Sequence, residues 1–215
     1  FVRRFHNAGA GCMVSNTTLE RSLAEHGFTN LYRWVRAVDH QKFRPDVPPA
    51  LDLPGPIFMY VGRVSVEKNI EAFLKLDLPG TKVVVGGGPA LEDMKSRYRD
   101  VVFTGPKLGD DLVAHYTSAD VFVFPSLTDT WGLVLLEAMA AGVPVAAFPI
   151  MGPIDVVGDS GCGALDNDLR KAALAALEIP GEKCRAYAET FSWEASAEQF
   201  FQNVLAANQS ARPAD

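Results

Sequence analysis

Between Thr130 and Ile154 the chain carries a single ionisable side chain, Glu137. It sits in Leu133-Val134-Leu135-Leu136-Glu137-Ala138-Met139-Ala140-Ala141, a stretch of helical length, and its neighbours three and four positions away are Leu133, Val134, Ala140 and Ala141. No cation on that helix can pair with it. A carboxylate in such surroundings is costly unless a distant Lys or Arg meets it, or unless it opens on a cleft and accepts hydrogen bonds from ligand hydroxyls. Gly132 precedes the helix, and a glycine-flanked helix start offers free N–H groups and a positive dipole end to a phosphate. Glu137 lies about five residues further on, roughly 7–8 Å along the axis, which is the reach from a diphosphate to its ribose. Asp129, in the loop ahead of the helix, is placed either to accept hydrogen bonds from a sugar on that diphosphate or to serve as a cap or Asx turn.

A second turn has complementary chemistry. In Gly62-Arg63-Val64-Ser65-Val66-Glu67-Lys68-Asn69, two cations bracket a strand-to-helix turn at which a glycine lets the backbone approach closely. Arg63 and Lys68 there can meet an anion together, or be solvated loop charges paired with Glu67 or Glu71.

These turns need a scaffold that brings them together. Short apolar runs at Ile57–Val61, Lys82–Val85, Val101–Phe103, Val121–Phe124 and Pro144–Phe148, with a weaker one at Gly163–Leu165, alternate with helix-length segments at Val66–Leu76, Pro89–Tyr98, Asp110–Ser118 and Leu133–Ala141. That rhythm predicts a doubly wound α/β domain, a parallel sheet covered on both faces, whose ligand lies at the carboxyl ends of the strands. Residues from Leu169 to Ala207 read as helices and Asn208 to Asp215 as a frayed end. In the first module a capping box from Thr17 to Glu20, with Gly27 as a stop, predicts one short helix.

The 215 residues are 48% hydrophobic and 21% charged, with 18 Gly and 14 Pro, which excludes disordered and collagen-like chains. Residues 1–45 hold seven Lys or Arg against three Asp or Glu, net +4; with a whole-chain charge of −6, the other 170 residues carry −10. Such acidity argues against a general nucleic-acid or anionic-membrane binder. The charge step and the proline-rich run from Pro45 to Pro56 mark a boundary, giving modules at 1–45, 46–191 and 192–215, the last a C-terminal helix and tail. Cys12, Cys162 and Cys184 form no CxxC pair, so a reducing compartment, the cytoplasm, is expected, and no run reaches the ~20 apolar residues of a membrane span. His6, His26, His40 and His115 have no metal-ligand spacing. Asp166-Asn167-Asp168 reads as a helix cap, Gly158-Asp159-Ser160-Gly161 as a surface turn, and Gly86-Gly87-Gly88 as a tight turn without the spacing of a dinucleotide or P-loop fingerprint.

Taken together, Gly62-Arg63 with Lys68, Gly86-Gly87-Gly88-Pro89, and Pro125-Ser126 through Gly142-Val143-Pro144-Val145 resemble the family-four glycosyltransferases of the GT-B fold over roughly residues 12–205. In that family two Rossmann-like domains clamp a nucleotide-diphosphate sugar, and residues 46 onward look like its C-terminal, donor-binding domain. The family's pair of glutamates, with seven residues between them, falls here on Asp129 and Glu137, with Asp129 one methylene shorter. The resemblance implies that Glu137 holds the ribose hydroxyls and Asp129 the donor sugar. It places Arg63, Lys68 and Gly62 on the diphosphate, and Thr130, Gly132 and the Leu133 and Val134 amides at the phosphate lip. The base would lie against the turn from Thr104 to Leu108. It implies transfer, with retention, from a UDP-, GDP- or ADP-sugar to an acceptor hydroxyl of a saccharide or lipid, with no metal and no cofactor beyond the donor. The acceptor would be positioned by an N-terminal domain of which residues 1–45 resemble only the last helix, strand and crossing, so the chain alone should turn over poorly. The resemblance leaves room for peripheral membrane contact in the full protein. Trp131 would pack as a wall residue. The alternatives on the same scaffold are a non-catalytic nucleotide-sugar binding module and a sugar-nucleotide epimerase.

Overall fold

The computed structural model describes residues 1–210. Its backbone divides into two compact units, Val38–Thr190 and a smaller one made of Phe1–Ala37 with the chain from Phe191. The smaller unit opens with α1 (Val2–Asn7), β1 (Cys12–Val14), α2 (Thr17–Glu25) and β2 (Leu31–Arg33), and its two strands pair in parallel. It therefore holds two helices and two strands before the crossing, more than the single helix and strand expected. The cap of α2 is Asn16, one residue before the expected Thr17: its side chain accepts from the Leu19 amide at 2.7 Å. Gly27, at φ +77°, ends the helix as anticipated, with its own amide on the Ala24 carbonyl and that of Phe28 on Leu23.

In the larger unit the strands are β3 (Ile57–Val61), β4 (Thr81–Val85), β5 (Val102–Gly105), β6 (Val121–Phe124), β7 (Val145–Ala147) and β8 (Gly163–Leu165). Between β3 and β4 a short 3-10 turn (Val66–Lys68) leads into α3 (Ile70–Leu74). The remaining helices are α4 (Leu91–Arg97), α5 (Gly109–Tyr116), α6 (Leu133–Ala140), α7 (Pro153–Val156), α8 (Leu169–Ala176) and α9 (Gly181–Ala188). All six strands are parallel, in the order β5-β4-β3-β6-β7-β8. Every residue of β3, β6 and β7 is buried, because helices cover both faces of the sheet, and this is why those strands read as unbroken apolar runs. Phe58, Tyr60, Val84, Val121 and Val123 pack with Ile70, Phe73, Leu74 and the Leu169, Ala172, Ala173 and Ala176 face of α8 in one continuous core. The sheet is the expected doubly wound one, in Rossmann-like order.

The chain winds outward from β3 in one direction and from β6 in the other, so the order reverses between these two neighbouring strands. A crevice forms beyond the carboxyl ends of strands at such a reversal, and the Gly62–Asn69 and Pro125–Gly132 turns are the ones that leave it. The triple glycine seats the first of them. A Cβ on Gly86 would strike the Gly62 carbonyl and one on Gly88 the Val64 carbonyl, so only glycine allows the two turns to lie backbone on backbone. That contact is sealed by the Val64 amide on Gly87 O at 2.9 Å and the Ala90 amide on Val64 O at 3.1 Å.

Residues 38–45, expected with the first module, lie in the larger unit. Phe43 is buried there against the Tyr116 ring, and Arg185 of α9 donates to the His40 and Phe43 carbonyls, each at 2.7 Å, and to Ala140 O at 2.9 Å. α10 (Trp193–Ser210) is part of the smaller unit rather than a separate module. Its Ser196 takes the Trp34 indole N–H at 3.1 Å, its Asn203 donates to Arg33 O at 2.8 Å, and Phe200 packs against Trp34 with centroids 5.3 Å apart and planes tilted by 60°. Asn208–Ser210 continue this helix instead of fraying, and the rest of the expected frayed end, 211–215, falls outside the described residues.

Candidate functional site

The turn after β3 keeps Gly62 at φ +153°, where a Cβ would press on the Tyr60 hydroxyl, and that hydroxyl donates to the Arg63 carbonyl at 2.9 Å. The Arg63 backbone is thereby fixed while its side chain stays mostly exposed, with only a loose 3.8 Å approach to Glu67. Lys68 is placed differently. Its Nζ donates to both carboxylate oxygens of Asp129, at 2.7 and 2.9 Å, with only 30% of the lysine and 21% of the aspartate side chain exposed. Asn69, in the left-handed region at φ +51°, ties the same turn to the end of β6 by donating to the Pro125 carbonyl at 2.9 Å. The two turns are thus joined at two points, and Lys68 is paired with neither Glu67 nor Glu71.

On the β6 side the chain passes Ser126, whose fully buried hydroxyl has no hydrogen-bond partner, and the exposed Leu127 before reaching Asp129. Trp131 is 7% exposed and packs as a wall residue. Gly152 sits so close to the Asp129 and Trp131 carbonyls that a Cβ there would collide with Asp129 O at 2.8 Å, which clamps the loop from behind. The helix cap is Gly132, at φ +79°, and no side chain caps α6. Asp129 therefore has no capping role, and the first-turn amides of Leu133 and Val134 lack intrahelical acceptors.

Glu137 lies on the half-buried side of α6. Its Oε2 accepts a 2.8 Å hydrogen bond from the Tyr116 hydroxyl at the end of α5. Among the described residues no Lys, Arg or His forms an ion pair with it, and Oε1 has no hydrogen-bond partner and is not sealed from solvent. Burial pushes the carboxyl above its usual range, against the pull of the Tyr116 hydrogen bond and the more distant charge of Lys42. The Tyr116 phenol is pushed well up by its own burial and then by the Glu137 charge, so it remains a proton donor at neutral pH. The sequence excluded a cation on the same helix and left a distant Lys or Arg or a ligand hydroxyl as partner, and it did not point to this phenol. The signal available was a tyrosine at the end of the helix that feeds β6.

Beyond the ends of β3, β4 and β5 a cavity of about 230 Å³ is lined by Gly62, Arg63, Gly86, Gly87, Pro106 and Lys107, among others. It takes in part of the Thr104–Leu108 turn. A second cavity, of about 650 Å³, is lined by the α7 to β8 connection and Tyr187 of α9 and by no residue of these turns. Of the remaining motifs, Asp168 caps α8 through the Arg170 and Lys171 amides, and Ser160 accepts from the Cys162 amide within its turn. No group of three His, Cys, Asp or Glu among the described residues could hold a metal ion. Among the same residues no helix is long and apolar enough to cross a membrane.

Comparison with known proteins bears on the fold and the family. The chain is 31% identical over 225 residues to the sulfoquinovosyl transferase of Arabidopsis thaliana, covering 91% of this chain and 44% of that protein. It is 35% identical over 197 residues to a GDP-mannose-dependent alpha-mannosyltransferase of Mycolicibacterium smegmatis, covering 86% and 48% respectively. The chain thus spans about half the length of the curated relatives it matches. Among solved structures, sucrose-phosphate synthase from Thermosynechococcus elongatus superposes with a TM-score of 0.76 at 25% identity, covering 93% of this chain and 58% of the other. Anabaena HepE in complex with UDP, at 14% identity and TM-score 0.76 over 94% of this chain and 66% of that one, has the same fold. The resemblance to the C-terminal part of GT-B glycosyltransferases holds. With the family pattern for glycosyl transferases group 1 matched over residues 55–179, more than half its length, the chain belongs to that family.

Proposed function

We propose that this chain is the donor-binding half of an enzyme that moves a sugar from a nucleoside diphosphate sugar to an acceptor hydroxyl. The observation that carries the reading is the arrangement at the β3/β6 reversal. A lysine is held to the acid Asp129, a helix start is uncapped, and a carboxylate about one and a half turns below it has one oxygen spoken for and the other open. In this reading Oε1 of Glu137 accepts from the ribose, and the base occupies the 230 Å³ cavity along Thr104–Leu108. Arg63, Lys68, the Gly62 turn, Thr130, Gly132 and the Leu133 and Val134 amides surround the diphosphate. Asp129 accepts from the donor sugar.

The Lys68–Asp129 pair gives this assignment mechanical sense. In the free protein Lys68 spends its charge on Asp129, which fixes the carboxylate. A bound diphosphate shares that cation, so one ammonium group spans the acid that orients the sugar and the leaving group that departs from it. During transfer the bond from the anomeric carbon to the β-phosphate oxygen breaks and a bond to the acceptor oxygen forms. The acceptor proton leaves with the departing diphosphate, whose growing charge is met by Lys68, Arg63 and the start of α6. Donors preorganised at that point can supply several kcal/mol of barrier lowering, ~2.7–4 each in comparable oxyanion sites. Retention and independence from metal are the outcomes the family resemblance implies.

Calorimetric titration with UDP, GDP, ADP and their sugars, beside Glu137→Ala, tests the reading. Weak binding by the wild type that the substitution abolishes is expected; equal affinity in the variant removes Glu137 from the site. Label transfer from the preferred nucleotide sugar to a saccharide or lipid by the full-length protein is expected. Binding without turnover there makes the protein a sensor, and isomerised donor makes it an epimerase.

A further inference from the structure

We propose that Tyr116 is a positioning residue for nucleotide recognition: it pins Oε2 of Glu137 so that Oε1 alone is presented to a ribose. The inference rests on the donor-site reading above and adds to it a residue outside both loops of the site. Tyr116 is 0% exposed, so its hydroxyl must find an acceptor inside the protein, and the acceptor is Glu137 Oε2 at 2.8 Å. The ring cannot drift. Phe43 packs edge-on against it with centroids 5.8 Å apart and planes at 78°, and Phe122 of β6 lies on another side at 5.9 Å and 49°. Phe43 is itself held, since Arg185 grips its carbonyl together with that of Ala140, the last residue of α6. The segment that buttresses the tyrosine and the helix that carries the glutamate are therefore tied to the same guanidinium.

A glutamate has three rotatable bonds, and a half-buried one with no cationic partner can adopt several rotamers. The phenol selects one of them before ligand arrives. It also leaves the carboxylate with a single free oxygen, so a ribose is gripped at a defined height below the phosphate lip rather than anywhere along the helix. Preorganisation of this kind appears as discrimination between ligands that do and do not use the contact.

The test measures Kd for whichever of UDP, GDP or ADP binds best, for its 2′-deoxy and 3′-deoxy analogues, and for inorganic pyrophosphate. The proteins are wild type, Tyr116→Phe and Glu137→Gln. Wild type is expected to prefer the ribonucleotide by tenfold or more over at least one deoxy analogue. In Tyr116→Phe that preference shrinks at least threefold while pyrophosphate affinity stays within twofold, and in Glu137→Gln it shrinks further. A merely structural tyrosine weakens all the ligands together and leaves the ratio intact, which overturns the proposal. No ribose preference in the wild type overturns the donor-site reading itself, and with it this inference. Should Tyr116→Phe not fold, NMR of the wild type labelled at the tyrosine ring carbon bearing the hydroxyl decides the matter. A Tyr116 hydroxyl proton still protected from exchange in the nucleotide complex supports the proposal, and its loss on saturation refutes it.

Discussion

Glu137→Gln should stabilise the free protein while weakening its ligand binding. The carboxyl is raised above its usual range by burial, with one hydrogen bond and a distant lysine only partly opposing that effect. Because its folded value exceeds the unfolded one, the native state binds more protons than the unfolded chain between the two values. Stability contributed by the neutral form is full below the unfolded value and is lost as pH rises through the folded one. Above the folded value the native state carries the cost of a desolvated carboxylate, and glutamine, which keeps an acceptor for Tyr116, removes it. For a half-buried group with one oxygen still open to solvent, about 1 kcal/mol is a reasonable scale. In a chain of this size that raises Tm by roughly 2–4 °C. At pH 3, well below the ordinary carboxylate range, Glu137 is neutral in both states and the gain should vanish. Differential scanning calorimetry of both proteins at the two pH values measures this. A variant that melts lower than wild type at pH 7, or gains equally at both pH values, refutes the reasoning, because the benefit would then not come from the charge. Nucleotide affinity should meanwhile fall by roughly 10- to 100-fold, the scale of a hydrogen bond to a charged acceptor.

Other perturbations have distinct signatures. Lys68→Met should lower pyrophosphate affinity at least tenfold and flatten its salt dependence, read by titration at two ionic strengths. Gly86→Ala places a methyl on the Gly62 carbonyl at a backbone φ of +144°, and a loss of roughly 2–3 kcal/mol is expected in urea unfolding. Arg185→Ala leaves the His40, Phe43 and Ala140 carbonyls without their shared donor, for a similar loss in urea unfolding. Arg185→Lys should restore only part of it, since the three carbonyls converge on Nη1 and an ammonium group on a shorter stem reaches them less well and gives up the Nε–H bond to Glu189.

How far the sequence revealed this molecule depended on how local each cause was. The strands of the larger unit were legible because both faces of the sheet are covered, so Ile57–Val61 and Val121–Phe124 carry no polar position that would hide them. The three-residue strands of the smaller unit had no such signature, since β1 buries one residue and β2 none, and only one of the two was expected. The capping box at Thr17 was a correct motif in the wrong register, since Asn16 competes for the same amides and wins. In the site, the isolation of Glu137 and the glycine start of its helix were readable from spacing alone, whereas the absence of a side-chain cap was not. Nor was the partner of Glu137. Tyr116 is 21 residues away and is brought to Glu137 only by the crossing from α5 through β6 to α6. The pairing of Lys68 with Asp129 spans 61 residues and likewise depends on β3 and β6 being neighbours in the sheet. A linear pattern reports which residues lack local partners; the topology supplies the distant ones.

The central claim is that a nucleotide sits beyond the ends of β3 and β6. Amide chemical-shift mapping during titration with UDP, GDP and ADP addresses it directly. The largest shifts are expected at Gly62 and Arg63, at Leu133 and Val134, and along Thr104–Leu108. Shifts concentrated instead around Ile154–Ser160, at the mouth of the larger cavity, with the first turn of α6 unmoved, would contradict it.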